Sequence, residues 1–365
     1  MHVTRYTYCW EGVVAADFTL GAVRRRYAAL ADMLIARGWS CLVAYDTRFL
    51  SAQIAADCHR GLLALGARVM LGAAPLPRPA VEFALDRSVA DCAVIVSAGN
   101  RNCWFNGLIV IAPAPGLTPL VDGTAPPEDA PFPPHVPESR VIDARQMYID
   151  SLRAAIDVDV ARRASLTVFV DVMHGTASGV VPAVLGEGAQ TRTIEINRES
   201  DAWFGRQTPH PKEASLVRLR KLVRESDSHL GVAISADGRS LGVVDNQGDL
   251  VPHLDVALLL AHYLNRQYRR RGVVIVPAST DSTAPWVRAL EAQPGLSVQF
   301  VNDPAVRVAE VRATDQLLFG LTDEGEPAVG YTGGTADATL VALLLVELVA
   351  RRGEKLHVLR EKLRQ

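Results

Sequence analysis

The chain has 365 residues, too long for one ordinary core, so two or three domains are expected. Hydrophobic residues make up 49% and charged residues 21%, the balance of a soluble globular protein rather than a disordered or membrane-embedded one. A formal net charge of -2 supplies no general attraction to nucleic acid or to an anionic membrane, and neither is expected as a partner.

From residue 22 to 84 the pattern alternates helix and strand. Apolar spacing predicts helices over 22–37 and 52–65, with short apolar runs at 41–45 and 68–71 as strands. Ala93-Val-Ile-Val-Ser97 repeats the strand signal and leads into a polar loop at 99–102. This βαβ rhythm predicts a mostly parallel sheet with helices on both faces. Residues 112–137, rich in Pro, Gly and acidic side chains, read as a surface excursion. A second unit follows, with a helix over 145–156, a strand over 167–171 and a small-residue turn at 175–179 opening another helix. Leu230–Ile234 and Leu241–Asp245 read as a strand pair around the turn 235–240, before a helix over 256–268. The third unit contains strands at 273–276 and 297–300, a helix over 284–293 and the apolar helix 338–351. Three consecutive α/β units of similar opening point to a repeated architecture, with boundaries expected at 1–140, 141–268 and 269–365.

Five cysteines, Cys9, Cys41, Cys58, Cys92 and Cys103, lack any CxxC spacing. They read as reduced thiols in a cytoplasmic protein. Arg5, Glu11 and Asp17 leave no apolar core for a signal peptide, and the longest apolar stretch, 338–350, contains Glu347 and is too short for a bilayer.

Several segments resemble the phosphoglucomutase/phosphomannomutase (phosphohexomutase) family. Tyr45-Asp-Thr-Arg-Phe-Leu-Ser51 is similar to its "YDTRFLS" turn, and Asp171-Val-Met-His-Gly-Thr-Ala-Ser-Gly179 resembles its "DPMHGAGSG" segment. Phe204-Gly-Arg-Gln-Thr-Pro-His-Pro211 resembles "FGGRxPNP", and the 340–353 stretch resembles the family's third-domain final helix. The resemblance implies three consecutive α/β/α domains with mixed, mostly parallel sheets. It also implies chemistry through a phosphoserine, a magnesium ion and a closing fourth domain.

The positions that match the family's functional loops depart from them. The phosphoserine loop "TASHNPxxYNG" is matched by Ser97-Ala-Gly-Asn-Arg-Asn-Cys-Trp-Phe-Asn-Gly107, which puts Gly99 at the serine and Asn100 at the histidine. Gly99 has no hydroxyl to carry a phosphoryl group. Ser97, Cys103 and His174 remain as candidate catalytic side chains. The metal loop "DGDADR" is matched by Ser235-Ala-Asp-Gly-Arg-Ser240, where Asp237 alone keeps a carboxylate and Arg239 puts a cation where a ligand would point. No cofactor is expected on this reading, magnesium included. Glu11 stands where the family has a phosphate-binding arginine, and a carboxylate there is expected to weaken phosphate binding. Glu324 and Glu326 fall in the segment similar to the sugar-selecting loop. Arg101, Trp104, His210, Lys212, Asp237 and Arg239 complete the expected binding cleft. The family's fourth domain has no counterpart before Gln365.

These departures favour a catalytically degenerate pseudoenzyme that serves as a binding, scaffold or regulatory subunit. A protein partner is expected on the face that a fourth domain would cover. Two alternatives remain: a repurposed enzyme acting on a sugar or nucleotide in the remodelled cleft, and residual mutase activity toward a sugar phosphate, assisted by a partner.

Overall fold

The structure, a computed structural model, describes residues 4–115, 140–279 and 285–364. The surface excursion expected at 112–137 lies mostly outside these residues, as does the start of the helix expected at 284–293. The chain forms three sheets. The first holds β1 (Tyr6–Val13), β2 (Ser40–Tyr45), β3 (Arg68–Gly72), β4 (Cys92–Val96), β5 (Phe105–Ala112) and β6 (Arg140–Ile142), in the spatial order β1-β5-β4-β2-β3-β6. The β4-β2-β3-β6 pairs are parallel, and β5 and β1 add an antiparallel edge. The second sheet contains β7 (Thr167–Asp171), β8 (Arg192–Ile196), β9 (Leu230–Ile234), β10 (Leu241–Asp245) and β11 (Leu250–Val251), ordered β11-β10-β9-β7-β8. The third runs β13 (Leu296–Val301), β12 (Gly272–Pro277), β14 (Leu317–Leu321), β15 (Pro327–Val329). All five residues of β4 are buried, as a parallel strand covered on both faces requires.

The main apolar core runs through all three sheets, joining Leu42 and Ile95 of the first to Val170 and Val232 of the second and Val274 and Phe319 of the third. The helix Ala338–Arg352 lies within it, with Leu343, Leu344 and Leu345 fully buried. A run this apolar can sit in water only when surrounded on all sides. No helix among the described residues is long and apolar enough to cross a membrane.

Asp337 caps that helix, accepting from the Leu340 N–H at 2.9 Å and from the Tyr148 hydroxyl, on the helix Ala144–Ala155, at 2.7 Å. Burial pushes its carboxyl up to about 6. The folded protein therefore holds this proton where the unfolded chain has lost it. The resulting stability is complete below about pH 4 and is lost as pH rises through about 6. Asp337→Asn keeps the accepting oxygen without the buried charge. It is expected to exceed the native protein by about 1–3 kcal/mol at pH 7.5 and to match it near pH 4. Urea unfolding at both values checks this, and an equal difference at the two pH values would refute it.

Candidate functional site

The loops that carry chemistry leave the carboxyl ends of the parallel strands β2, β4 and β9, where open α/β sheets place their ligands. After β4 the backbone turns sharply. Gly99 has φ +53, and its N–H donates to the Ser97 hydroxyl at 2.9 Å. Arg48, whose side chain is 1% exposed, holds this loop from beneath. Its two terminal nitrogens donate to the carbonyls of Gly99 and Arg101 at 2.6 Å, Asn102 at 2.9 Å and Phe105 at 3.1 Å. Asp46 pairs with the same guanidinium at 3.2 Å. Gly107 closes the loop, because a Cβ there would lie 2.5 Å from the Trp10 carbonyl.

The turn 235–240 approaches from the second unit. The Ser235 hydroxyl donates to Asp237 Oδ1 at 2.6 Å, and Gly238 takes φ +82 to complete the turn. The Asp237 carbonyl accepts from the Arg78 N–H at 2.8 Å, while the Gly238 carbonyl accepts from the Ala338 N–H at 3.1 Å. The turn is thus pinned between the first unit and the apolar helix. A Cβ on Gly99 would lie 3.6 Å from Asp237 Oδ2, so the two loops face one another. Asn100 Nδ2 also bridges them, donating to Ser240 Oγ at 3.1 Å.

Between these loops lies a cleft of ≈ 440 Å³. Most of the residues expected from sequence line it: Glu11, Ser97, Gly99, Asn100, Arg101, His210, Lys212, Asp237, Arg239, Glu324 and Glu326. Arg78 and Thr208, which the sequence did not single out as site residues, line it as well. Arg78 comes to the cleft through the turn 235–240, to which its backbone N–H is bonded. Burial lowers the His210 imidazole from its ordinary value, leaving a neutral ring 3.6 Å from Glu324 Oε2. Burial raises the Glu326 carboxyl, with Arg239 opposing the shift from 2.8 Å.

Expectations about five residues change. Glu11 does not stand bare against an incoming phosphate, because its carboxylate pairs with Arg101 at 2.8 Å. Arg239 does not block Asp237, because its guanidinium is turned to Glu326. Cys103 and Trp104 line a neighbouring cavity rather than this cleft. His174 borders neither space. It has φ +56, and its Nδ1–H donates to the Glu199 carbonyl at 2.7 Å, which makes it a brace between loops.

The carbonyl-clamped loop, the facing turn and the mostly parallel sheets define an α/β/α protein with a cleft where loops of its units meet. The family models agree. Phosphoglucomutase/phosphomannomutase, alpha/beta/alpha domain I, matches residues 3–119, and domain II matches residues 146–248. The chain belongs to the phosphohexomutase family. A phosphoglucosamine mutase of Xanthomonas campestris pv. campestris is 29% identical over 97% of this chain and 78% of its own. One from Xanthomonas euvesicatoria pv. vesicatoria is 27% identical over 95% and 77%. Among solved structures, a phosphoglucomutase/phosphomannomutase family protein from Burkholderia thailandensis superposes with a TM-score of 0.78 at 21% identity, covering 97% of this chain and 78% of that one. Aspergillus fumigatus N-acetylphosphoglucosamine mutase, solved with GlcNAc-6P and magnesium, shares the fold at TM-score 0.53 and 13% identity, over 88% and 60%.

These relatives correct two expectations. The degenerate scaffold or regulatory reading is overturned, because proteins similar along nearly the whole chain are named as mutases. The expectation of no cofactor is overturned by the relative solved with magnesium. The residues present fit a modest role toward that ion. Magnesium commonly takes one or two carboxylates and completes its shell with water and substrate phosphate. Asp237 Oδ2 faces the cleft and makes no hydrogen bond among the described residues.

Proposed function

We propose that the chain is a sugar-phosphate mutase acting on an aminohexose phosphate in the cleft beside Gly99 and Asp237. The observation carrying this is the meeting of four cations, Arg78, Arg101, Lys212 and Arg239, with four carboxylates, Glu11, Asp237, Glu324 and Glu326, in one cleft. The names of the relatives support the substrate class. Arg101 and Lys212 bind the phosphate, and Glu324 reaches the sugar's hydroxyl or ammonium groups. Magnesium, held by Asp237, would neutralise charge on the transferring group.

Gly99 offers no hydroxyl, so the carrier falls to Ser97. Ser97 is among the residues lining the cleft and is 3% exposed, at the end of β4, where its hydroxyl accepts from the Gly99 N–H at 2.9 Å. Asp46 ends the neighbouring strand β2, and burial raises its carboxyl while Arg48 opposes the shift. The Ser97 Oγ–P bond forms as the sugar O–P bond breaks. The serine proton passes to Asp46 and from there, through solvent, to the departing sugar oxygen, with no net proton taken up. Return of the phosphoryl group to another hydroxyl of the sugar restores the serine. A cytoplasmic location is part of this proposal and is supported by five free thiols.

The test is isomerisation of glucosamine 6-phosphate with a hexose bisphosphate primer and Mg²⁺, followed by tandem mass spectrometry of the protein. Phosphoserine is expected at Ser97, and Ser97→Ala is expected to lower kcat by about a hundredfold or more. No turnover and no phosphoserine in the native protein would end the reading. Full activity in Ser97→Ala would remove Ser97 from it.

A further inference from the structure

Next to the cleft, and sharing Thr208 with it, is a second cavity of ≈ 870 Å³. Two tryptophans stand in its walls, Trp104 at 52% exposed and Trp203 at 64%. Indoles left this bare forgo the burial that large aromatic surfaces normally obtain.

Neither is on a loose loop. The Trp104 carbonyl accepts from the Val14 N–H at 2.9 Å, and Arg48 grips the residues on both sides of it. Around Trp203 the backbone is held in an unfavourable form, with Phe204, Gly205 and Arg206 at φ +48, +64 and +61. Left-handed non-glycine residues cost about 1 kcal/mol or more each and persist only where the surroundings impose them. Here Phe204 is buried at 3% exposure under the Arg48 guanidinium. Asp201 receives the Trp203 N–H on Oδ1 and the Gly205 N–H on Oδ2, both at 2.9 Å. Those two bonds hold its carboxyl below the usual range.

The polar groups of the cavity narrow the ligand. Asp201, its carboxylate, has each oxygen engaged by backbone, which weakens it as a partner for sugar hydroxyls. The side-chain amides of Asn102 and Gln207 and the Arg206 guanidinium make no hydrogen bond or ion pair among the described residues. Amides offer donor and acceptor together, as the edge of a base requires. A free guanidinium suits a phosphate. We propose that this cavity is a nucleotide subsite, with the base stacked on Trp104 or Trp203 and the phosphates running past Arg206 and Thr208 toward the cleft. The proposal stands on the cavity alone and does not require mutase activity.

Isothermal titration of the full chain with UDP, ADP, ribose 5-phosphate and glucose 1-phosphate tests it. At least one nucleotide is expected to bind, and ribose 5-phosphate far more weakly. At least one of Trp203→Ala and Trp104→Ala is expected to weaken the nucleotide by about tenfold or more, with Trp203→Phe retaining most of the affinity. Glucose 1-phosphate binding should be unchanged in all three variants. Circular dichroism and melting temperature show whether each variant is folded, and Trp203→Phe gives the answer should an alanine variant fail. Absence of heat with both nucleotides, equal binding of ribose 5-phosphate, or native affinity in both folded alanine variants would overturn the proposal.

Discussion

Replacing Arg48 with alanine is expected to lower unfolding free energy by about 3–5 kcal/mol, read as a fall in the urea midpoint at unchanged slope. The side chain sits at the turn after β2 and is almost wholly buried. Its removal leaves Asp46 buried and without its cation, and strips hydrogen bonds from four backbone carbonyls of one loop. Any one neutral hydrogen bond contributes about 1 kcal/mol, but an uncompensated buried carboxylate costs several times that. Arg48→Lys keeps the charge yet cannot reach four carbonyls with a planar fork, so an intermediate loss is expected. Arg48→Met with Asp46→Asn removes both charges and should recover part of the alanine loss. If the double variant is as unstable as Arg48→Ala, the uncompensated charge is not the main cause. Because the clamp fixes Gly99 and Arg101, hexose phosphate binding should weaken in the folded Lys variant too.

Legibility from sequence followed how local each signal was. The runs that became β4, β7 and β9 are continuous apolar stretches, and their strand assignment needed only their neighbours in the chain. β5 did not declare itself, because Asn106 and Gly107 at its start read as the end of a polar loop. In the structure Asn106 is fully buried, donating to Ser51 Oγ and the Phe49 carbonyl, so a polar residue serves inside the sheet. The helix Val217–Glu225 has no span of its own in the sequence pattern, because five of its nine residues are charged and its apolar stripe is narrow. At the site, most of the residues that family spacing singles out line one cleft, but the sequence does not show what their charges do there. Glu11 and Arg239 look hostile to phosphate and metal when taken singly. Each is neutralised by a partner distant in the sequence, Arg101 at 90 positions and Glu326 at 87, and pairing of that kind is visible only in the fold. The inference of lost activity failed for the same reason. It summed single-residue departures, whereas relatives similar along nearly the whole chain are named as mutases.

The buried carboxylate of Glu347 gives the second large effect. It lies in the middle of the helix Ala338–Arg352, fully buried, and accepts the Tyr263 hydroxyl at 2.5 Å and the Tyr268 hydroxyl at 2.8 and 2.9 Å on its two oxygens. The Asp157 N–H adds a bond at 3.1 Å, and Arg351 approaches to 3.5 Å. The helix His253–Tyr268, the helix Ala338–Arg352 and the segment leading out of Ala144–Ala155 are thus tied at one point. Burial pushes both tyrosine hydroxyls well above their ordinary value, so they remain donors at any working pH. Glu347→Ala leaves these donors without an acceptor and opens a void in the core, with an expected loss of about 3–5 kcal/mol. Glu347→Gln keeps one oxygen and the volume but turns an amide N–H₂ toward a donor, so about half that loss is expected. A double-mutant cycle with Tyr263→Phe isolates the contact, and a coupling of about 1 kcal/mol or more is expected. Additivity within about 0.3 kcal/mol would show that the hydroxyl contributes nothing through Glu347. Since none of these groups borders the cleft, Glu347→Gln at a temperature where it is folded should bind hexose phosphate as the native chain does. A shared loss of both properties would mean that this junction also sets how the units close on the ligand.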